Sequence, residues 1–416
     1  MKCVVFEDDH YEQLYPLSLT RAVFELKCGM ISLVERIRRN FPDSNLCYFT
    51  REYLAATVKK RHPSVPVNDL KSLAGSDLLF INGRCLFLDM PADVLPKEGW
   101  AGENSRVVLA RTEKGTLEGF QGDDLEGLLK FIQSNTPKIP ADYKIVNHPW
   151  DLINYNSAAL DADFQHVQGT GIEGSMAPEA AIHGPRERVA ISKGARVHPF
   201  VCIDTNGGPV FIDEGANIHP FTHIEGPCYI GKNSILLGAK VREGCSIGPV
   251  CRVGGEIEES IFHGYTNKAH DGFIGHAYVG EWVNLGALTT NSDLKNDYST
   301  ISVKIQGKPV DTGSIKVGSF FGDHTKTSIG TYLNTGSNIG ALCVIVASGG
   351  VLPKYLPSGS WFVKNSVTKG FGLKSMLRTA ETVMGRRNVP FTEEDAEVLK
   401  KVYEITKPDR DMLIEK

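Results

Sequence analysis

Long apolar runs are missing from this sequence: nowhere do about 18 apolar residues follow one another, the length a membrane-spanning helix needs. The start, MKCVVFEDDHYEQ, meets acidic residues after four apolar ones, too few for the apolar core of a signal peptide. An excess of positive charge is missing too. With 45 Lys and Arg against 49 Asp and Glu the net charge is -4, which argues against a dedicated nucleic-acid binder. Close cysteine pairs are also absent: nine cysteines are scattered, which excludes zinc-ribbon spacing and predicts reduced, buried thiols. These absences together predict a soluble cytoplasmic protein without membrane or nucleic-acid partners.

What is present changes character near residue 150. Before it, MKCVVF, NLCYFT, DLLFING and SRVVLAR read as short buried strands. Between them GMISLVERIRRNF places Ile31, Leu33, Val34 and Ile37 on one side of a helix. That alternation predicts an α/β domain over 1–150 with mostly parallel pairing and ligand loops at the strand C-terminal ends. A linker helix and solenoid entry are expected over 151–184.

Farther on, GARVHPFVCI (194–203) returns as GANIHPFTHI (215–224), offset by 21 residues. Apolar residues recur at every sixth place, at Ile191, Val197 and Ile203, then at Ile212, Ile218, Ile224 and Ile230. Neither a helix nor an alternating strand has that period. A parallel β-helix of hexapeptide repeats does, with about 18 residues per triangular coil and the aliphatic side chain inside. Small residues and glycine are expected at its corners. This domain is read over 185–365, broken by an excursion near 291–314. A helical C-terminal tail follows over 366–416, with Thr392 as an N-cap. By fold analogy such prisms associate as homotrimers. His198 and His219 hold equivalent places in consecutive coils, where a metal is one reading and repetition the other.

The stretch QLYPLSLTRAVFELKCGMISLVERI resembles the opening of sugar-1-phosphate nucleotidyltransferases. The whole chain is similar to the family of bifunctional N-acetylglucosamine-1-phosphate uridyltransferases/glucosamine-1-phosphate acetyltransferases. The resemblance implies an α/β nucleotidyltransferase-like domain followed by a left-handed parallel β-helix. It implies an attack of a sugar 1-phosphate on a nucleoside triphosphate, with Mg²⁺ and cationic side chains offsetting the phosphate charge. Arg21 falls where the family binds the triphosphate, and Lys27 lies near its following lysine. The chain departs from the pattern twice. Its entry loop is FEDDHYEQ, acidic where the family has small residues, and Arg84 in FINGRCLF stands where the family has a metal-binding aspartate. Asp8, Asp9 or Asp89 would then have to rebuild a metal site, with Asn154 beside it, or Arg84 would hold phosphate itself. Asn147, Asp151 and Asn154 otherwise belong to the linking helix.

The block TNKAHDGFIGHAYVGEWVNLGALTTN resembles the acetyltransferase centre of the same family. On that resemblance Lys268 contacts substrate phosphate, His270 is the catalytic base, and Asn284 and Asn291 orient the substrate. Phe273 replaces a tyrosine. Acetyl-CoA would be the donor, met by Lys304 and Lys326 and running past Ala287. An imidazole suits this work because its pKa lies near neutrality. His276 and His324 are alternative bases. Three readings follow. The first is a bifunctional enzyme making an activated N-acylated sugar nucleotide for the cell envelope. The second is an acyltransferase with a degenerate sugar-nucleotide-binding front domain. The third is a non-catalytic trimeric scaffold.

Overall fold

The computed structural model describes residues 1–42, 44–88, 97–103, 105–167, 171–347 and 349–414. They divide into two compact units. The first comprises Met1–Glu12, Arg21–Leu26 and Ile31–Asn147, and the second Gln13–Thr20, Lys27–Met30 and His148–Lys416. Asp89, a sequence candidate for a metal site, lies outside the described residues.

The first unit is built on a five-stranded sheet of β1 (Lys2–Phe6), β2 (Asn45–Phe49), β3 (Leu78–Asn82), β4 (Gly99–Glu103) and β5 (Arg106–Thr112), in the order β2-β1-β3-β5-β4. The first three strands run parallel, but β5 pairs antiparallel with both β3 and β4. The expected mostly parallel sheet is therefore mixed. Helix α1 (Leu33–Asn40) begins at Ser32, whose hydroxyl accepts from Glu35 N while Glu35 accepts from Ser32 N. Its buried residues Leu33, Val34 and Ile37 were legible as its apolar side. Helices α2 (Glu52–Arg61) and α3 (Leu125–Asn135) complete the α/β unit.

The second unit is a parallel β-solenoid with three faces. The first face runs from Ser175–Met176 to Asn267–Lys268, and backbone bridges through Asn284 extend it to Lys326–Thr327. The second face runs from Ala181–His183 to Phe273–Gly275. The third has nine strands, from Val189–Ile191 to Tyr355–Leu356. Coils begin at Ser175, inside the 151–184 stretch read from sequence as linker helix and solenoid entry. The early coils are offset by 21 residues (Val197↔Ile218), and later ones shorten to 17 (Asn267↔Asn284). The excursion is an antiparallel hairpin, Ser302–Ile305 with Lys308–Asp311.

Each strand is two to four residues long, so mostly one side chain per strand points inward. Val197, Ile218, Leu236, Val253 and Leu285 form one such column and are all essentially inaccessible. The corners depart from expectation. Bulky Phe200, Phe221, Val250, Tyr265, Trp282, Leu288 and His324 take the left-handed turn conformation at φ between 52° and 63°. A stack on the next coil supports several of them: the Phe200 and Phe221 rings lie 5.7 Å apart and nearly parallel.

The linking segment carries α4 (Pro149–Asn154) and α5 (Asn156–Phe164), and α5 packs on third-face strands. The C-terminal helices are α6 (Gly372–Gly385), α7 (Glu393–Ile405) and α8 (Lys407–Ile414). At Thr392 the main-chain N–H donates to Asp395 Oδ2, closing the expected cap as a box. Met376, Ala380 and Leu399 bury against Leu342, and Arg410 Nη1 donates to Ser358 O at 2.7 Å, so the tail covers the last coils. Ile224 stacks between Ile203 and Val241 in the second-face column. Ile224→Ala should cost about 3 kcal/mol in chemical denaturation, since a column one side chain wide collapses poorly around a cavity.

Candidate functional site

In the first unit, the C-terminal ends of β1 and β2 border a cavity of about 600 Å³ lined by Glu7, Asp8, Asp9, Arg51 and Arg106 among others. An α/β sheet normally takes its ligand here. The polar groups, however, are already engaged with one another. Glu7 Oε1 accepts from Val23 N (2.8 Å) and Arg51 Nη2 (2.9 Å), and its Oε2 accepts from Thr50 Oγ1, Arg51 N and Arg51 Nε. Asp8 is gripped by Arg84 through Nε to Oδ1 (3.0 Å) and Nη2 to Oδ2 (2.5 Å), with Asn82 Nδ2 as a third donor. Burial pushes the Asp8 carboxyl up, yet the Arg84 bonds and charge outweigh it and hold the group below the usual carboxylate range. Asp9 pairs with Arg106 at 3.0 Å.

These contacts correct several sequence expectations. Asp8 does not fit a Mg²⁺ site, because the buried Arg84 guanidinium already neutralises it, whereas Asp9 pairs with Arg106 only at the exposed surface. Arg84 is not a free phosphate arm: only 3% exposed, it also donates from Nη1 to Asn147 Oδ1 (2.6 Å) and Val146 O (3.2 Å). Arg21 is likewise buried, and its charge helps to stabilise Glu25. Burial raises the Glu25 carboxyl, but Arg61, His62 and Arg21 together bring it down to about 2. Among the described residues no cluster of three His, Cys, Asp or Glu could hold a metal ion. Asn154 is an exposed residue at the end of α4.

Part of the stretch that resembles a nucleotide-binding loop packs within the second unit. Thr20 Oγ1 donates to Asp323 Oδ2 (2.7 Å), and Asn338 Nδ2 donates to Tyr15 O. The main-chain N–H of Lys27 donates to Tyr278 OH at 3.0 Å, with the Lys27 side chain half-buried. Gly29 and Met30 donate to Asn156 and Asp163. Here the segment is solenoid-binding backbone.

The acetyltransferase-like block occupies consecutive coils. Lys268 takes the inward position in line with Val253, an aliphatic place in the column. It is fully buried, and its ammonium bends to the adjacent corner to reach Gly254 O (3.2 Å) and His270 O. Burial lowers its pKa to about 8 against the opposing pull of Asp271. Lys268 is thus no surface anchor for phosphate. His270 itself is exposed on the corner between the first and second faces, and among the described residues its ring has no hydrogen-bond partner.

Other members of the block are engaged elsewhere. Asn291 is 1% exposed, and its amide bonds Gly275 N, Gly275 O and Ser292 O, closing a turn rather than meeting substrate. Asn284 is exposed, and its Oδ1 accepts from Asn267 Nδ2. Ala287 is half-buried, with its carbonyl accepting from Gly330 N. Lys304 is exposed on the hairpin. Lys326 donates to Trp282 O (2.6 Å) and His324 O (3.0 Å) beneath α6, and burial pushes it down to about 7 despite nearby Asp323. Lys326 is half-buried and lines a small pocket with His324, Trp361 and Met376, its ammonium engaged by the two carbonyls.

Two features went unread in the sequence. His276 Nδ1 bonds Asp293 Oδ2 at 2.8 Å, an oriented pair on the corner between the second and third faces. Asp293 follows His276 by 17 residues, one coil, which is the signal that could have found it. An apolar edge runs along the corner that carries His270: Phe200 (59% exposed), Phe221 (75%), Leu288 (50%) and Ile329 (72%). His198 Nε2 and His219 Nε2 both bond Asn217, so repetition and an amide account for their alignment.

Residues 3–170 match the family described as sugar nucleotidyl transferase. A bifunctional sugar-1-phosphate nucleotidylyltransferase/acetyltransferase of Sulfurisphaera tokodaii is 32% identical over 107 residues, 26% of either chain. A bifunctional protein GlmU of Methanococcus maripaludis is 28% identical over 243 residues, 57% of this chain and 52% of that one. The chain thus spans a quarter to about half the length of these relatives. A solved UDP-N-acetylglucosamine acyltransferase of Francisella novicida is 16% identical, covers 58% of this chain and 90% of that one, and superposes with a TM-score of 0.31, on which no argument rests.

The Lys268 contacts give a prediction with a definite sign. A lysine whose folded pKa is lowered binds its proton more weakly in the folded state, so stability rises as pH climbs from about 8 toward the unfolded value near 10.4. Denaturation midpoints of the wild type should gain on those of Lys268→Met across that window. Parallel pH curves for the two would contradict the buried ammonium. Taken together, the matches place a sugar nucleotidyl transferase domain at residues 3–170 and make the chain similar to bifunctional GlmU proteins over about half their length.

Proposed function

We propose that this protein is an acyltransferase acting on a phosphorylated amino sugar, with His270 as general base. In this reading its front unit keeps the sugar nucleotidyl transferase fold without the metal-dependent reaction. The observation that carries the first half is the His270 corner: an exposed, unengaged imidazole whose own carbonyl is tied down by a buried ammonium. The observation that carries the second is the Asp8–Arg84 pair, which puts a fixed cation where a metal would need open carboxylates.

The step balances simply. The acceptor amine attacks the thioester carbonyl of acetyl-CoA, and His270 takes the amine proton. The C–S bond breaks, and the proton passes to the departing thiolate. The product is an N-acylated amino-sugar phosphate, a precursor class for activated UDP-N-acetylglucosamine-like nucleotides of the cell envelope. The relatives named as bifunctional nucleotidyltransferase/acetyltransferases support the substrate class.

Purified protein with acetyl-CoA and a panel of amino-sugar 1-phosphates should release free CoA, and His270→Ala should lose about 100-fold or more. Equal loss in His276→Ala alone, with His270→Ala active, would move the base to the Asp293-oriented imidazole. A parallel pyrophosphate-release assay with UTP, dTTP and GTP and Mg²⁺ should be at background. Robust turnover there would restore the bifunctional reading, and silence in both assays would leave a scaffold.

The exposed apolar side chains along the His270 corner favour an association surface, and a homotrimer is the assembly proposed for it. Sedimentation should give about three times the chain mass, and Phe221→Asp with Ile329→Asp should bring it to the monomer. A wild-type monomer at micromolar concentration would contradict the trimer.

A further inference from the structure

The first face carries a row of outward side chains that acyl transfer leaves unused. Arg252 and Asn267 are register partners on adjacent strands, and Asn267 Nδ2 donates to Asn284 Oδ1 on the next coil at 3.2 Å. Where α6 ends at Gly385, Arg387 turns back to this row and donates from Nη2 to Asn267 Oδ1 at 3.0 Å. Arg386 follows the helix directly and is exposed. Three guanidinium groups, from Arg252, Arg386 and Arg387, therefore share one locality. Among the described residues none of the three forms an ion pair. Burial and the charges of Arg252 and Arg386 all press the Arg387 pKa downward, and no carboxylate opposes them. Glu281, on the neighbouring corner, faces His263 Nε2 at 3.8 Å instead.

The C-terminal carbonyls of α6 account for one or two cations. They do not account for Arg252, which comes from the solenoid, or for the absence of any acid among three like charges. Guanidinium groups beside amide donors match phosphate oxygens in geometry as well as in charge.

We propose that Arg252, Arg386 and Arg387, with Asn267 and Asn284, form a binding site for the phosphate or diphosphate of a phosphorylated small molecule. The site is assembled only when α6 is docked, because Arg387 reaches it from the end of that helix. An anion here would offset the mutual repulsion of the three arginines and hold the tail on the coils. The proposal stands or falls separately from acyl transfer, since its readout is binding.

Titration calorimetry of the full chain at low ionic strength, with inorganic pyrophosphate as probe, tests it. Saturable binding is expected, weakened about tenfold in Arg387→Gln and in Arg252→Gln. Arg252→Gln leaves the Arg387–Asn267 contact in place, so its loss cannot be blamed on a displaced helix. Competition with UDP and with adenosine 3′,5′-bisphosphate then separates a sugar-nucleotide source from a coenzyme source, according to which displaces pyrophosphate at lower concentration. The proposal is overturned by absent saturation, by unchanged affinity in both variants, or by failure of both nucleotides to compete.

Discussion

The second unit depends on one constraint: a solenoid strand of two or three residues has room for only one or two inward side chains, and each has to fill the column left by its neighbours. Apolar residues, mostly aliphatic, meet it from Val189 to Phe362. Lys268 meets it differently, lending its methylene chain to the column and sending its charge to the corner carbonyls of Gly254 and His270. An ammonium in that place has few routes to satisfaction, and the one taken fastens the turn that displays His270. Packing, local geometry and the candidate chemistry meet at this residue.

The first unit illustrates the opposite use of charge. Its cavity stands where an α/β sheet presents ligands, yet Glu7 is saturated by donors, and Asp8 and Asp9 are each matched by an arginine. A buried carboxylate beside an arginine is stable only as a pair, so removing either partner would strand the other's charge. On the reading proposed above, the same pairing withdraws those groups from metal and triphosphate chemistry. Fold and reaction are separable in general, since sites are grafted onto folds and can be lost from them.

Much of this was legible in the residues. The six-residue recurrence of Ile212, Ile218, Ile224 and Ile230 identified the solenoid because a narrow core imposes its period directly on the sequence. The strands around Val4, Cys47 and Phe80 were equally plain, although the antiparallel turn of the sheet at Arg106–Thr112 left no mark in composition. Side-chain direction was the hidden quantity. Lys268, Asn291 and Lys326 are the residue types that bind substrates, and each instead bonds backbone carbonyls or amides of its own coils. A polar residue at an inward place reads like a ligand-binding residue until the register is known. The His276–Asp293 pair needed the 17-residue coil length, which varies along this chain and could not be assumed.

The central claim is that acyl transfer takes place at the His270 corner. A crystal structure of the protein with a non-hydrolysable acetyl-CoA analogue and an amino-sugar phosphate tests it most directly. The account predicts the thioester carbonyl and the acceptor nitrogen beside His270, with the imidazole within about 3 Å of that nitrogen. A donor bound beside the His276–Asp293 pair, or an acceptor remote from any imidazole, would contradict it.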